Sequence, residues 1–402
     1  MKTHCTKHFL RAAALPALII YGGNILALAQ SCSATWTGNA GNGSWSTASN
    51  WSPRKVPGPT SDVCIPTFTT ADGAGLDGSS SSISVHSIQV AEGGSLLFGS
   101  GNLSITTSLN NQGFITLYGT TLSAASISLP SPGEIDVYDT SSITCPALSN
   151  AAGTVSVGAG GTLRLAHNPV QLQNGNLSGG NWLVSSGVLI LPSDISQISA
   201  PVAYTTVVSL DGTGSAVQDA AGHNALATLT SVGPTAVLAL FDSASLTVAQ
   251  SLTSQGIIDV SGSLTINGTY TQASGAGTNM GGSLSATSVI VQSGSNLGGN
   301  GTVASSITNN GTVTPQGILA VTGNYAQAGG GALTEQFGST LQVSLNAALS
   351  GPLNVTVNPK HPPKSGATNT ALTFGSLSGS FTSLTAGYTL TTNATSIVVR
   401  KQ

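Results

Sequence analysis

From Leu109 to Val157 one phrase is written three times: L-N-N-Q-G-F-I-T-L, L-P-S-P-G-E-I-D-V and S-N-A-A-G-T-V-S-V. Its glycines, Gly113, Gly133 and Gly153, stand 20 residues apart. After each comes a short segment whose second and fourth positions are apolar: Ile115/Leu117, Ile135/Val137 and Val155/Val157. That alternation is a half-buried β-strand, and the Asn, Pro, Ser, Gln or Ala before each glycine is a turn. One alternating strand per fixed period cannot bury its apolar face alone, so the pattern predicts stacked β-coils. The phrase returns as S-Q-G-I-I-D-V from Ser254 and N-N-G-T-V-T-P from Asn309. Gly268-Thr-Tyr-Thr-Gln272 and Gly323-Asn-Tyr-Ala-Gln327 echo each other 55 residues apart.

Apolar alternation of strand length begins near Ser82 and persists to Gln327, enough for about a dozen coils of 20 residues. Between Pro192 and His223 the register slips among Gly and Ser turns, which reads as a longer loop or irregular coil rather than a new domain. No sustained 3.6-residue periodicity is present in the mature chain. The expected architecture is all-β, a right-handed parallel β-helix over residues 67–330. Residues 30–66 hold three of the four tryptophans, Trp36, Trp45 and Trp51. They read as a cap for the open end of the solenoid, or alternatively as exposed sugar-stacking platforms. Residues 331–402, with longer strands and the basic loop Lys360–Lys364, read as a C-terminal β cap.

Composition narrows the class. Charged residues are 6% of the 402 and hydrophobic residues 40%, which excludes an acidic or basic disordered chain. No basic patch exists to displace counterions, so nucleic acid is excluded as a partner. Residues 1–29 form a targeting leader: Lys2, Lys7 and Arg11, then an apolar run, then Ala27-Leu28-Ala29 as the cleavage signal. The expected mature chain starts at Gln30, has no membrane span, and carries 7 basic against 13 acidic side chains once those three cations leave. Export permits disulfides. Cys32 and Cys64 flank one short segment and could staple it, while Cys145 is expected to be a buried, inert thiol.

The runs Ser295–Val303, Thr308–Pro315 and Gly317–Gln327 resemble bacterial exported β-helix proteins, including autotransporter-passenger-like surface proteins. The last run carries their recurrent G-x-L-x-V-x-G-x-Y-x-Q. The Trp-rich opening, with Asn50-Trp51 before Val56-Pro57 and Asp62, is similar to the start of such chains. The resemblance implies export and a surface role, and is weak for activity. Pro315-Gln316-Gly317 departs from the family's direct Pro-Gly. No C-terminal membrane barrel is read, so self-transport is not expected.

Chemistry would need converging carboxylates. The best cluster is Glu134, Asp136 and Asp139: the first two lie two apart on a strand and so share a face, as acid/base hydrolysis of a glycoside requires. However, Asp136 and Asp259 each stand three residues after a corner glycine, and Thr116 and Ser156 occupy the neighbouring coils' equivalents. That marks an ordinary exposed slot. Asp72–Gly78 only faintly resembles a calcium turn. His86, His167, His223 and His361 are mutually remote, without metal-ligand spacing, so no cofactor is expected. The reading is a secreted, extracellular or cell-surface protein, non-enzymatic, adhesive or structural, with glycans or cell-surface and matrix proteins as partners. The alternative is a polysaccharide-active β-helix enzyme, hydrolase or lyase, using the three acids.

Overall fold

One column of side chains fixes the architecture. In successive coils Leu96, Ile115, Ile135, Val155, Trp182, Val208 and Leu238 pair side by side in parallel. The column continues through Ile258, Thr278, Leu297, Val313, Leu333 and Leu353. Every member is buried. The computed structural model describes residues 31–67, 76–77, 82–201 and 203–402. The leader 1–29 lies outside them, as does the Asp72–Gly78 turn apart from the strand Leu76–Asp77. Cys32–Gln402 forms one unit, 56% strand and 1% helical, in a parallel β-solenoid of about 14 turns.

The count exceeds a dozen because parallel pairing reaches into both flanking segments. Asp62–Ile65, in the Trp-rich segment, already pairs in parallel with Ser87–Val90. Beyond residue 330, Ala332–Gln336 pairs with Leu353–Thr356, and Asn346–Leu349 with Ser376–Gly379. At the C-terminal end the pattern turns antiparallel, where Ser396–Lys401 lies against Thr368–Thr373 and Tyr388–Thr392. The tail strands, expected to be longer, are ordinary coil strands of four to six residues.

The recurring phrase is a corner. Asn111 is fully buried; its Oδ1 accepts from Gly113 N–H at 3.1 Å and its Nδ2 donates to Glu134 O, one coil on, at 2.7 Å. Asn309 repeats both bonds, from Gly311 N–H at 3.1 Å and to Ala332 O at 2.9 Å. Buried backbone groups at the bend are thereby paired, which matters because an unpaired one costs about 1–3 kcal/mol. Glycine follows because the coils touch there: a Cβ on Gly133 would collide with Asn111 O and Pro130 O.

The Gly-x-Tyr-x-Gln echo has the same logic. Tyr270 and Gln272, and Tyr325 and Gln327, alternate inward. Tyr270 Oη meets Thr278 Oγ1 at 2.6 Å, and Tyr325 Oη accepts from Asn309 Nδ2 at 2.9 Å. Gln327 Nε2 donates to Gly331 O at 3.0 Å and Pro352 O at 2.9 Å. Burial pushes the Tyr270 phenol up to about 12, and that of Tyr325 upward as well, so both stay neutral donors.

Trp36, Trp45 and Trp51 are buried and meet edge to face, with centroids 5.1 Å and 4.8 Å apart. Their faces are spent on one another and the core, which removes the exposed sugar-stacking platform as a reading. Cys32, just before the strand Ala34–Trp36, is disulfide-bonded to Cys64 of the strand Asp62–Ile65, Cα atoms 5.7 Å apart. Cys145 is buried, and desolvation raises its thiol pKa.

Candidate functional site

Glu134 and Asp136 are held on one outward face by the strand Glu134–Tyr138, while Ile135 and Val137 point into the core. Along the solenoid axis, Glu134 lies between Phe114 and Thr154, and Asp136 between Thr116 and Ser156. Tyr138 stacks on Tyr118 of the preceding coil, rings 5.3 Å apart and 19° from parallel. Asp139 leaves the face. Its φ of 60° turns the chain at the next corner, where its carbonyl accepts from Thr162 N–H at 3.0 Å. The structure therefore brings together two of the three acids and adds two phenols and a phenyl ring.

Glycoside cleavage needs two carboxyl groups flanking one bond, within a site that positions the sugar. Here both acids project the same way, about 6.6 Å apart along the strand, and among the described residues no third acid or cation stands in register beside them. Arg164 stands in another column, between Ser142 and Ile190.

Clefts lie elsewhere among the described residues. One of about 300 Å³ is lined by Val170, Gln171, Gln173, Asn176 and Ser178. Another, of about 330 Å³, runs past Thr308, Ala326, Ala348 and Ser378. A third, about 460 Å³, is bounded by Gln218, Asn224, Ser245 and Thr247. None contains Glu134, Asp136 or Asp139.

Two histidines have carboxylate partners that sequence reading missed. His86 Nδ1 lies 2.8 Å from Asp62 Oδ1, which also accepts from Ser87 Oγ at 2.5 Å. His223 Nδ1 lies 3.0 Å from Asp219 Oδ2. The Asp219 carboxyl is held below its usual value, first by the His223 backbone N–H. Among the described residues no three His, Cys, Asp or Glu side chains gather as metal ligands, and no helix is long and apolar enough to cross a membrane.

Sequence reading also missed Glu335. It occupies an inward slot, in register with Val355 and fully buried. Its Oε2 accepts from Asn369 Nδ2 at 3.3 Å and its Oε1 has no partner. Burial pushes its carboxyl up to about 8, only partly offset by the Asn369 bond. The signal was available in Leu333-Thr334-Glu335, where alternation puts an acid at a core position. The tyrosine ladder was equally visible as a 20-residue step from Tyr118 to Tyr138. Comparison with protein-family models, curated proteins and solved structures returns no match.

Proposed function

We propose that this protein is an exported, non-enzymatic surface or matrix scaffold, adhesive or structural, that presents a weakly charged β-face to glycans or partner proteins. The observation that carries the reading is how its outward side chains are used. They pair along the axis, coil to coil, instead of converging on a point. Besides the Tyr118–Tyr138 stack, Asn279 Nδ2 donates to Asp259 Oδ1 at 2.5 Å and Thr314 Oγ1 to Asn296 Oδ1 at 2.7 Å. Asn354 Nδ2 donates to Thr334 Oγ1 at 3.2 Å. Such ladders stiffen a sheet face and leave hydroxyls, amides and ring edges toward solvent. The leader-like residues 1–29 and the resemblance to exported bacterial β-helix proteins support release to the cell surface or medium.

The competing reading is a polysaccharide-active enzyme, favoured by Glu134 and Asp136 sharing one face. Incubation of the chain from Gln30 with a panel of polysaccharides, scoring bound protein and new reducing ends together, separates the two. Binding without new ends is expected. New ends that disappear in Glu134→Gln or Asp136→Asn would overturn the scaffold.

A further inference from the structure

One face of the solenoid opens between two successive coils. Thr206–Asp211 pairs with Ala236–Phe241, and Ser231–Val232 pairs with Leu252–Ser254. Between these two contacts the ladder is interrupted. Among the described residues, Ala216–Gln218 pairs in parallel with Val188–Ile190 alone, and Ser245–Val248 with Ser263–Gln272 alone.

The extra chain of the longer coil keeps the gap open. Ala225 N–H donates to Val217 O at 2.9 Å and Asp219 N–H to His223 O at 2.8 Å, folding residues 217–225 into a small hairpin against the strand. Asp219 Oδ1 accepts from the N–H groups of Ala221 and His223, both at 2.8 Å, and fixes its tip. Asn224 Nδ2 donates to Thr247 O at 2.8 Å and ties the hairpin to the next coil. The cleft beside it measures about 460 Å³, within the roughly 300–1,000 Å³ of small-molecule sites.

We infer that this cleft binds an uncharged saccharide unit, and so gives the proposed glycan-binding scaffold, on which the inference rests, a specific site. Its walls carry amides and hydroxyls: Gln218 and Asn224 on one side, Ser245 and Thr247 on the other. Ser215, also in the lining, is occupied, accepting from Ser186 N–H at 2.7 Å and donating to Asp211 O. The side chains of Gln218, Ser245 and Thr247 have no hydrogen-bond partner within the protein among the described residues. They therefore offer both donors and acceptors.

Among the described residues no Lys, Arg, Asp or Glu lines the cleft, so an ionic ligand would be desolvated without a countercharge. A purely apolar ligand would strand the amides and hydroxyls. A neutral polyol ring satisfies both conditions: its hydroxyls match the walls, and its C–H faces match Leu246 and Ala216. Because the hairpin is already held by its own hydrogen bonds, little ordering remains for binding to complete.

Calorimetric titration of the purified protein with cellobiose, laminaribiose and chitobiose, and with digalacturonate as the charged control, tests the assignment. At least one neutral disaccharide should bind in preference to digalacturonate. The double variant Gln218→Ala/Thr247→Ala should bind it at least tenfold more weakly, and Ser245→Trp, which fills the cleft from its exposed side, should abolish binding. Ser104→Ala, exposed on the regular coils, should leave it unchanged. Circular dichroism melts matched to the parent exclude misfolding. Preference for digalacturonate, or neutral binding that survives both cleft variants, overturns the site while the scaffold reading stands. Absence of disaccharide binding overturns the site, and absence of any polysaccharide or surface binding by the parent protein removes the scaffold reading with it.

Discussion

The coils on either side of the middle are short and alike, and those between are long and unlike. From Ile115 to Ile135 to Val155 each coil takes 20 residues, as it does from Leu238 to Ile258 to Thr278. Val155 to Trp182 takes 27, Trp182 to Val208 takes 26, and Val208 to Leu238 takes 30. Yet the inward column continues through both regions without a break, and every member is buried. Part of the added chain turns inward, since Ala225, Leu226 and Leu229 are buried too. The remainder breaks the ladder and opens two clefts, beside Val170–Ser178 and beside Gln218–Thr247. Regularity builds the stack. Departure from it builds concavity, and concavity is where a flat-faced solenoid can hold a ligand.

The contrast is sharpest at glycine. In a regular coil, Gly133→Val should cost the most, about 3 kcal/mol or more, because its side chain would meet backbone oxygens of two coils with nowhere to relax. In the long coil, Gly222 has a φ of 86° and open space around it. Gly222→Ala should cost only about 1 kcal/mol of left-handed strain. Urea midpoints of the two variants measure the difference, and equal shifts would dissolve the distinction.

Next in size is Asn309→Ala. It strips Gly311 N–H, Ala332 C=O and the Tyr325 hydroxyl of their shared partner, for an expected loss of about 3 kcal/mol. Asn224→Ala, in the long coil, removes one bond to Thr247 O and one from Leu226 N–H at a half-exposed position. It should lower the midpoint by about a third as much.

Glu335 makes the stack pH-sensitive near its C-terminal end. Its carboxyl stays protonated in the folded chain up to about pH 8 but ionises near 4.5 when unfolded. Between those values the unfolded chain binds fewer protons, so this group's contribution falls as pH rises from about 4.5 to about 8 and then levels. The full effect is on the order of 5 kcal/mol. Thermal melts at pH 5 and pH 8 should differ more for the parent than for Glu335→Gln, and parallel slopes would contradict the assignment. Among the smallest effects expected is Tyr138→Ala, about 1 kcal/mol from the lost stack on Tyr118.

Much of this was legible in the sequence because the interior repeats at short range. Gly113, Gly133 and Gly153 mark corners at equal steps, and the apolar pairs after them face inward as alternation requires. The slip between Pro192 and His223 was visible for the same reason, as the place where that step fails. What escaped depends on neighbours about 20 or more residues away. Asn111 and Asn309 look like turn residues, and only stacking shows that they bond the following coil. The cleft was hidden because Gln218 and Thr247 face each other only where two coils fail to pair. Glu134 and Asp136 share one face, as their spacing on a strand implies, whereas the corner at Asp139 turns the chain off that face.

Amide hydrogen exchange tests most directly whether the long coils share one continuous core with the regular ones. The strands Gly180–Ser185, Thr206–Asp211 and Ala236–Phe241 should exchange as slowly as Glu134–Tyr138 and Ile257–Val260, with fast exchange confined to the outward chain around residues 212–223. Fast exchange across the whole of residues 180–241 would show that irregular coils interrupt the stack, and would contradict the account.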